Sequence, residues 1–280
     1  VSSERMNKIF KIDVKNKTVE LQPGVMISVL NAKLHEFNLI FPLTPFNPAT
    51  SIGGLAATNE LTRETAHIGK VSDWIEEIDF VDGTGKIFNT YKTNLVVGKE
   101  GVNGFITKLK LKLIEPPVLS ADIFNFSEVS ELLGKVRSLK KDSEIYFIEF
   151  IDPSISYQLG FGNDFTILVF YSGLKGRKKT VLEVSDMLQK AESAKRLLRT
   201  STFFHVYDPL VSLEKCYDLI MWCKKNNIPI HGHPTQGLFF AYFKKEDLEK
   251  MTGFRSFVKS IGGSLGRTFG IGSENTDFRS

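Results

Sequence analysis

The stretch Ala49–Ile75, "ATSIGGLAATNELTRETAHIGKVSDWI", places two adjacent glycines, Gly53 and Gly54, within a run of small side chains. Such residues let a backbone approach another group closely, because no large side chain stands in between. The pattern fits a short helix whose first amides face an anion such as a diphosphate. It fits a tight turn with close helix packing equally well, so this stretch alone leaves both interpretations open.

The composition indicates a protein with a substantial core. The chain has 280 residues, 42% of them hydrophobic, and a net charge of +4 from 36 basic and 32 acidic side chains. This length suits one large or two ordinary domains. The dense basic cluster of Lys175, Arg177, Lys178 and Lys179 is more simply a solvated loop than a nucleic-acid surface. We therefore expect no nucleic-acid partner.

The cysteines and the hydropathy pattern indicate a soluble, cytoplasmic protein. Cys216 and Cys223 lie seven positions apart in a helical pattern, which is more typical of two buried thiols than of a disulfide or a metal site. No apolar run approaches the roughly 18 residues that span a bilayer, and no leader opens the chain. The chain starts at Val1 with a strand, a turn and a strand, as if entered in the middle of a fold.

The first 115 residues show a mixed pattern of helix and strand. "MISVLNAKLHEFN" places Ile27, Leu30, Leu34 and Phe37 on one helical stripe. "WIEEIDFV", the turn "DGTG" and "KIFNT" predict a hairpin. "FITKLKLKLIE" alternates apolar residues with lysines, as a half-exposed strand does, and Pro116-Pro117 interrupts it.

Beyond the prolines the order of predicted elements changes, and we place a domain boundary near Glu115 to Pro117. The predicted order is strand (119–126), helix (127–140), strand (144–151), strand (165–171), helix (178–199), helix (211–226), strand (228–243) and helix (245–260). Strands separated by helices, with one direct strand pair, are typical of a ferredoxin-like α+β sheet. The sequence shows no internal repeat.

A second glycine-rich stretch, "VVGKEGVNGFITKLKLKL", decides between the interpretations of the first. Together with "PFNPATSIGGLAATN" and "IGKVSDWIEEIDFVDGTGKI", in this order, it resembles the PCMH-type FAD-binding domain of the vanillyl-alcohol oxidase superfamily. The resemblance is closest to the glycolate oxidase and D-lactate dehydrogenase branch. It implies an α+β fold, with residues 1–115 as the second subdomain of that FAD-binding domain. Residues 116–280 then form a ferredoxin-like α+β cap domain.

The same resemblance implies which residues contact FAD. The first stretch corresponds to the family's loop along the pyrophosphate and flavin, and the second to its closing motif. Ile68 stands where the family usually has a tyrosine. The implied cofactor-binding residues are Pro45, Ser51, Ile52, Gly53, Gly54, Ala57, Asn59, Gly69, Asp73, Glu100, Gly101, Gly104 and Ile106.

The cap stretches "IPIHGHPTQGLFFAYF" and "GGSLGRTFGIG" are similar to family segments in which two histidines and a glutamate hold a divalent metal and a further histidine is the base. Here His233 is kept, but Phe240, Thr268 and Phe269 occupy the other three positions. We therefore expect no metal of the family's type. The candidate catalytic residues are His233 and Arg267, whose guanidinium offers a planar fork to a substrate carboxylate. The pattern around Arg267 fits a surface arginine equally well.

The remaining histidines and tyrosines have simpler interpretations. His231 and His233 lie two apart and would face the same side of a strand, either as part of a different metal site or as hydrogen-bonding residues. His35 and His205 are more simply surface or core residues, and Tyr207 and Tyr242 are more simply packing.

The resemblance implies an FAD-dependent oxidoreductase that acts on a small 2-hydroxy acid such as glycolate or D-lactate. Family members begin with a smaller subdomain carrying its own glycine-rich pyrophosphate loop, and nothing in this sequence corresponds to it. We therefore expect a partner chain that supplies this subdomain or accepts electrons. The alternative is a non-catalytic flavoprotein-like subunit that uses the fold for assembly.

Overall fold

The computed structural model describes residues 3–47, 49–173, 181–199 and 203–266. They form two compact units, divided between Pro116 and Pro117. Each unit has its own sheet and its own hydrophobic core. The division falls at the proline pair, which ends the strand pattern because proline cannot donate a ladder hydrogen bond.

The N-terminal unit is built on a five-stranded antiparallel sheet with the strand order β1-β2-β5-β3-β4. Its strands are β1 (Ile9–Asp13), β2 (Thr18–Leu21), β3 (Ile75–Val81), β4 (Ile87–Thr90) and β5 (Phe105–Lys112). The predicted hairpin is present as β3 and β4. The central strand β5 alternates as expected, since Leu109 and Leu111 are buried while the Nζ of Lys110 lies 3.0 Å from Oε2 of Glu76.

Three helices accompany this sheet: α1 (Ile27–Leu34), α2 (Ile52–Thr58) and α3 (Thr65–Ile68), with 3₁₀ turns at His35–Phe37, Val71–Trp74 and Thr93–Leu95. Helix α1 buries Ile27, Leu30 and Leu34, as its periodicity predicts. Phe37, expected on the same stripe, is 39% exposed instead. It lies in the 3₁₀ turn after α1, where the 3.6-residue period no longer applies.

The C-terminal unit contains a six-stranded antiparallel sheet with the order β6-β8-β7-β10-β11-β9. Its strands are β6 (Leu119–Phe126), β7 (Ile145–Ile151), β8 (Phe165–Ser172), β9 (Phe203–Tyr207), β10 (Ile230–His233) and β11 (Leu238–Lys244). Its helices are α4 (Val129–Leu139), α5 (Pro153–Gln158), α6 (Val181–Arg199), α7 (Cys216–Lys225) and α8 (Leu248–Ser260), with 3₁₀ turns at Leu213–Lys215 and Lys245–Asp247. The result is the α+β architecture that the sequence indicates.

The topology of this sheet contains a repeat that the sequence does not reveal. Read inward from one edge of the sheet, the first three strands of the unit lie in the order β6, β8, β7. Read inward from the opposite edge, the last three lie in the corresponding order β9, β11, β10. The middle strands of the two sets, β7 and β10, pair with each other.

Two features of this sheet differ from the predicted order of elements: β9 was not predicted, and the single strand expected over 228–243 is the hairpin of β10 and β11. Strands that are apolar on both sides of a turn give no periodic signal for that turn.

Helix α7 carries the two cysteines as buried free thiols, as predicted. Burial raises the pKa of the Cys216 thiol to about 12, and it raises the pKa of Cys223 well above its ordinary value. Both residues therefore act as small apolar side chains. Among the described residues, no helix combines the length and apolarity that a membrane crossing needs. The basic cluster at 175–179 lies outside the described residues.

Candidate functional site

A pocket in the N-terminal unit, with a volume of about 210 Å³, brings the two glycine-rich stretches together. The first stretch contributes α2 and the residue before it, and the second contributes the turn before β5. The expected FAD-contacting residues in its wall are Ser51, Gly53, Gly54, Ala57, Gly101, Gly104 and Ile106. Sequence positions about 50 residues apart thus meet at one site, where backbone hydrogen bonds join the second stretch to α2.

The first amides of α2 already have acceptors within the protein. The Ser51 side chain caps the helix, and its Oγ accepts from the Gly54 amide at 3.1 Å. The Gly53 amide donates to the Pro23 carbonyl at 2.8 Å. The structure therefore does not leave these amides exposed to an anion, so the glycines must have another role here.

The two glycines differ in what surrounds their Cα atoms. A Cβ on Gly53 would lie 2.5 Å from Cβ and 2.9 Å from the carbonyl oxygen of Pro23, so this glycine is needed for close packing. A Cβ on Gly54 would meet only Oγ of Ser51, at 3.3 Å. Packing within the unit does not require a bare backbone at Gly54. Because Gly54 also lines the pocket, its missing side chain leaves room for a ligand.

Alanine substitutions should separate these two roles in unfolding experiments. We expect Gly53→Ala to lower the free energy of unfolding by about 1–3 kcal/mol, because its methyl group overlaps Pro23. Gly54→Ala should raise it by up to about 1 kcal/mol, since alanine favours the helix. Urea denaturation of both variants gives the values. Equal effects of the two changes would contradict the distinction.

The second stretch forms a turn with left-handed backbone positions, fastened to α2. The φ angles are +70° at Gly98, +49° at Glu100 and +78° at Gly101. The amides of Gly98 and Glu100 donate to the carbonyls of Ala56 and Ala57, each at 2.9 Å. These bonds satisfy carbonyls at the end of α2 and fix Gly101 at the pocket wall.

Several expected cofactor-binding residues lie outside the pocket wall and support the surrounding segments. Asn59 ends α2 in the left-handed conformation, and its Oδ1 accepts from the Ser72 amide at 3.0 Å. Asp73 accepts from the Lys70 amide at 2.8 Å and lies against Gly69, where φ is +90°. Ile52 is buried in the core of the unit, and Glu100 belongs to the turn described above.

Pro45 is buried in a segment that two buried glutamates hold in place. Oε2 of Glu64 accepts from the Thr44 amide at 3.0 Å, and Oε1 of Glu60 accepts from the Phe46 amide at 2.8 Å. The sequence reasoning missed both glutamates. Their charged appearance in "NELTRET" is typical of a surface segment and gives no sign of burial.

The C-terminal unit contains a buried polar cluster of Glu149, His231, His233 and Tyr242. Nδ1 of His231 lies 3.3 Å from Oε1 of Glu149, and Nδ1 of His233 lies 3.3 Å from Oε2 of the same carboxylate. Nε2 of His231 is 2.7 Å from the hydroxyl of Tyr242. His233 is 2% exposed, and the other three side chains are fully buried. One carboxylate therefore lies between two imidazoles.

Strand pairing explains how these residues meet. Glu149 is on β7, the histidines are on the neighbouring β10, and Tyr242 is on β11 at the other side of β10. The histidines face the same side of their strand, as their spacing of two predicts. Gly232 lies between them, and a Cβ there would approach the Leu238 carbonyl oxygen to 2.4 Å. The sequence thus needs a small residue between the two histidines.

The sequence indicated part of this cluster. His231 has the hydrogen-bonding role that the sequence suggests. Tyr242, which the sequence suggests is only a packing residue, provides the hydroxyl that contacts it. Glu149 was missed, although a lone acid in "IYFIEFI" is a signal for a buried carboxylate. Within the described ranges, no group of three or more His, Cys, Asp or Glu side chains has an arrangement that could hold a metal ion.

The remaining candidates either have simple surroundings or lie outside the described residues. Phe240 is buried, and its ring centroid lies 5.1 Å from that of His231 and 6.1 Å from that of His233. His35 is exposed, and the His205 ring packs on Tyr207 with centroids 4.4 Å apart. Arg267, Thr268 and Phe269 lie outside the described residues.

Comparison with protein families gives a match in the N-terminal unit. Residues 1–91 match a family model described as an FAD binding domain. The D-lactate dehydrogenase of Anaerostipes hadrus is 31% identical over 128 residues, which cover 42% of this chain and 27% of that protein. The glycolate oxidase subunit GlcD of Bacillus subtilis is 29% identical over 126 residues, covering 41% of this chain and 27% of the relative.

A plant relative extends the match. The mitochondrial D-lactate dehydrogenase [cytochrome] of Arabidopsis thaliana is 27% identical over 160 residues, covering 52% of this chain and 28% of that protein. The matched region therefore spans only about a quarter of the length of each of these relatives. Among solved structures, an alkyldihydroxyacetonephosphate synthase matches with a TM-score of 0.68 at 17% identity, covering 94% of this chain and 62% of that one. This last likeness concerns the fold.

Proposed function

We propose that this chain, as a member of the PCMH-type family of FAD-linked oxidases, acts in the oxidation of a small 2-hydroxy acid such as D-lactate or glycolate. The single observation that carries the proposal is the pocket at which Gly54 and Gly101 meet. Its residues resemble the family's cofactor loops, and at Gly54 the wall lacks a side chain although no backbone clash or positive φ requires glycine there.

The pocket residues fit one part of FAD. Ser51, Gly54, Ala57 and Gly101 would lie against the cofactor, because their small side chains or bare backbones permit close approach. Pro45, Asn59, Gly69, Asp73 and Glu100 would act through the segments that they hold. The volume of about 210 Å³ is below the roughly 300–1,000 Å³ typical of pockets for whole ligands of drug size.

Because of this size, we propose that the remaining FAD contacts come from outside residues 1–280. A segment with a glycine-rich pyrophosphate loop, on a partner chain or elsewhere in the same polypeptide, would cover the other side of the dinucleotide. More contacts offset more of the freedom that a large ligand loses on binding. FAD should therefore bind more tightly when such a segment is present.

In the proposed chemistry, the substrate loses a hydride from carbon and a proton from its hydroxyl, and becomes a 2-oxo acid. FAD, when bound, supplies the hydride acceptor. We assign the hydroxyl proton to His233, whose imidazole can accept it near neutral pH. Arg267 would bind the substrate carboxylate through its planar guanidinium.

We propose that no metal of the family's type takes part. His233 keeps one of the usual ligand positions, but Phe240 stands at another, and a phenyl ring offers no donor atom to a metal. Thr268 and Phe269 stand at the expected glutamate and base positions. The base role therefore falls on His233. The buried free thiols fit a reducing, cytoplasmic setting, which completes the proposal.

A second candidate is a non-catalytic flavoprotein-like subunit. The observation that favours it is the same replacement at Phe240, together with the low exposure of His233. Both candidates predict flavin binding, so a substrate is needed to separate them. The experiment is to load the protein with FAD and add 2-hydroxy acids without oxygen. Reduction of the bound flavin supports the enzyme, and binding without reduction supports the subunit.

A further inference from the structure

The C-terminal unit contains a pocket that the proposed chemistry does not use. Its volume of about 310 Å³ lies within the range of roughly 300–1,000 Å³ typical of sites for whole small molecules. The pocket is bounded by the end of β7, the starts of β8 and β10, and the last turns of α7. Its wall is mostly apolar, with Phe165, Ile220, Ile228 and Ile230 among the lining residues.

This pocket lies on the side of the sheet that the helices cover. Phe165 and Ile230 belong to the core that the sheet shares with α4, α7 and α8. His231 follows Ile230 in β10, and successive residues of a strand face opposite sides of the sheet. The pocket is therefore separate from the cluster around Glu149.

The acidic side chain in this wall is Asp152, which follows β7 directly and is 7% exposed. Its Oδ1 accepts from Oγ of Ser154 at 2.7 Å and from the amide of Ile155 at 3.0 Å, which caps α5. Its Oδ2 accepts from the Ile230 amide at 2.6 Å. Because an ionised carboxylate has about four acceptor positions on its two oxygens, Oδ2 can accept from a second donor.

The surroundings of Asp152 favour a positive group in the pocket. Within the described part of the chain, no basic side chain forms an ion pair with this carboxylate. Burial raises the pKa of Asp152, because a carboxylate without a counter-charge is unfavourable away from water. The pocket also adjoins the C-terminal end of α7, where the helix dipole attracts cations. The exposed Lys224 lies in the wall, but its Nζ is placed over the ring of Phe165, 5.2 Å from the centroid.

We propose that this pocket binds a small organic cation with an apolar body, such as a primary amine on a short hydrocarbon or aromatic group. The ammonium group donates to Oδ2 of Asp152 and supplies the counter-charge that the chain does not. The apolar body contacts Phe165, Ile220 and Ile228. This site is independent of the proposed flavin chemistry, so its test needs neither FAD nor a 2-hydroxy acid.

Three probes of similar size separate charge from shape: 2-phenylethylamine, 2-phenylethanol and 3-phenylpropanoate. The measurement is an NMR titration of the full chain with ¹³C-labelled isoleucine methyl groups, in which Ile220, Ile228 and Ile230 report on the pocket and single Ile→Val variants identify their signals. The amine should shift these signals and bind about tenfold more tightly than the alcohol, because a hydrogen bond between charged groups is stronger than a neutral one. The carboxylate probe should bind more weakly than the alcohol.

Two substitutions test the charges of the wall. Asp152→Asn keeps an oxygen that can cap α5 but removes the charge, and it should lower the amine's affinity about tenfold, to that of the alcohol. Lys224→Met removes a like charge near the surface and should tighten amine binding about 2–5-fold. Lys225→Met is the matched control, because Lys225 is the next residue of α7 and lies outside the pocket wall, and it should leave the affinity unchanged.

Three results would overturn the inference. One is an amine that binds no more tightly than the alcohol, and another is amine binding that leaves the signals of Ile220, Ile228 and Ile230 in place. The third is a Lys224→Met protein in which amine binding does not tighten relative to Lys225→Met. If Asp152→Asn fails to fold, the wild-type titration and the two lysine variants still decide.

Discussion

Replacing Gly54 with valine is expected to abolish FAD retention while the protein stays folded. The residue lines the pocket, and only Oγ of Ser51 lies within 4 Å of a Cβ built on it. The Cβ of a valine would therefore press on this hydroxyl alone, at 3.3 Å, and we expect the rest of the side chain to take up pocket volume. We expect the affinity for FAD to fall on the order of 10²-fold or more, because the valine side chain would overlap the space of the cofactor. Each loss of about 1.4 kcal/mol in binding free energy lowers the affinity tenfold.

The measurement is a calorimetric titration with FAD, combined with the visible absorption of the purified protein and its melting temperature. Gly83→Val is the matched control, because Gly83 lies in the same unit and a Cβ there meets nothing within 4 Å. The control should retain FAD. A Gly54→Val protein that kept its flavin would show that the pocket is assigned to the wrong ligand.

Replacing His233 with glutamine should remove catalysis and leave flavin binding unchanged. Glutamine keeps polar atoms beside Glu149 but cannot accept a proton near neutral pH. Because general base catalysis contributes about 10²–10⁴-fold, kcat for a 2-hydroxy acid should fall within that range. Steady-state kinetics with D-lactate and glycolate give kcat and KM, and visible absorption gives the flavin content.

His205→Gln is the matched control for this prediction. His205 lies in the same sheet and packs on Tyr207, away from the carboxylate of Glu149. It should keep wild-type kcat. If His233→Gln were as active as the control, another group would have to accept the proton, and the role given to His233 would be withdrawn.

The sequence predicts much of the N-terminal unit, because its strands are buried on one face. The alternation along β5 and the turn between β3 and β4 are local patterns, and the structure confirms both. The roles of the two glycines are not local. Gly53 and Gly54 look alike in the sequence, and only the position of Pro23 makes one a packing residue and leaves the other open to the pocket.

The cluster in the C-terminal unit marks the limit of sequence reasoning. Spacing places His231 and His233 on one side of a strand, but it does not tell which strand lies beside them. The carboxylate comes from β7, and two strands, β8 and β9, lie between β7 and the histidines' strand β10 in the chain. Only the strand pairing identifies β7 as the neighbour of β10. The strands here are buried on both faces, so their apolar residues run continuously and hide hairpin ends.

Anaerobic reduction of the bound flavin is the measurement that tests most directly whether this chain serves in 2-hydroxy acid oxidation. The protein would be the polypeptide or complex that carries residues 1–280 with its FAD. D-lactate or glycolate is added in the absence of oxygen, and the visible flavin band is followed. The expected result is loss of that band in the wild type, and a rate lowered by about 10²-fold or more in His233→Gln. A flavin that stays oxidised with every 2-hydroxy acid would contradict an enzymatic role and favour a subunit that binds FAD without turning substrate over.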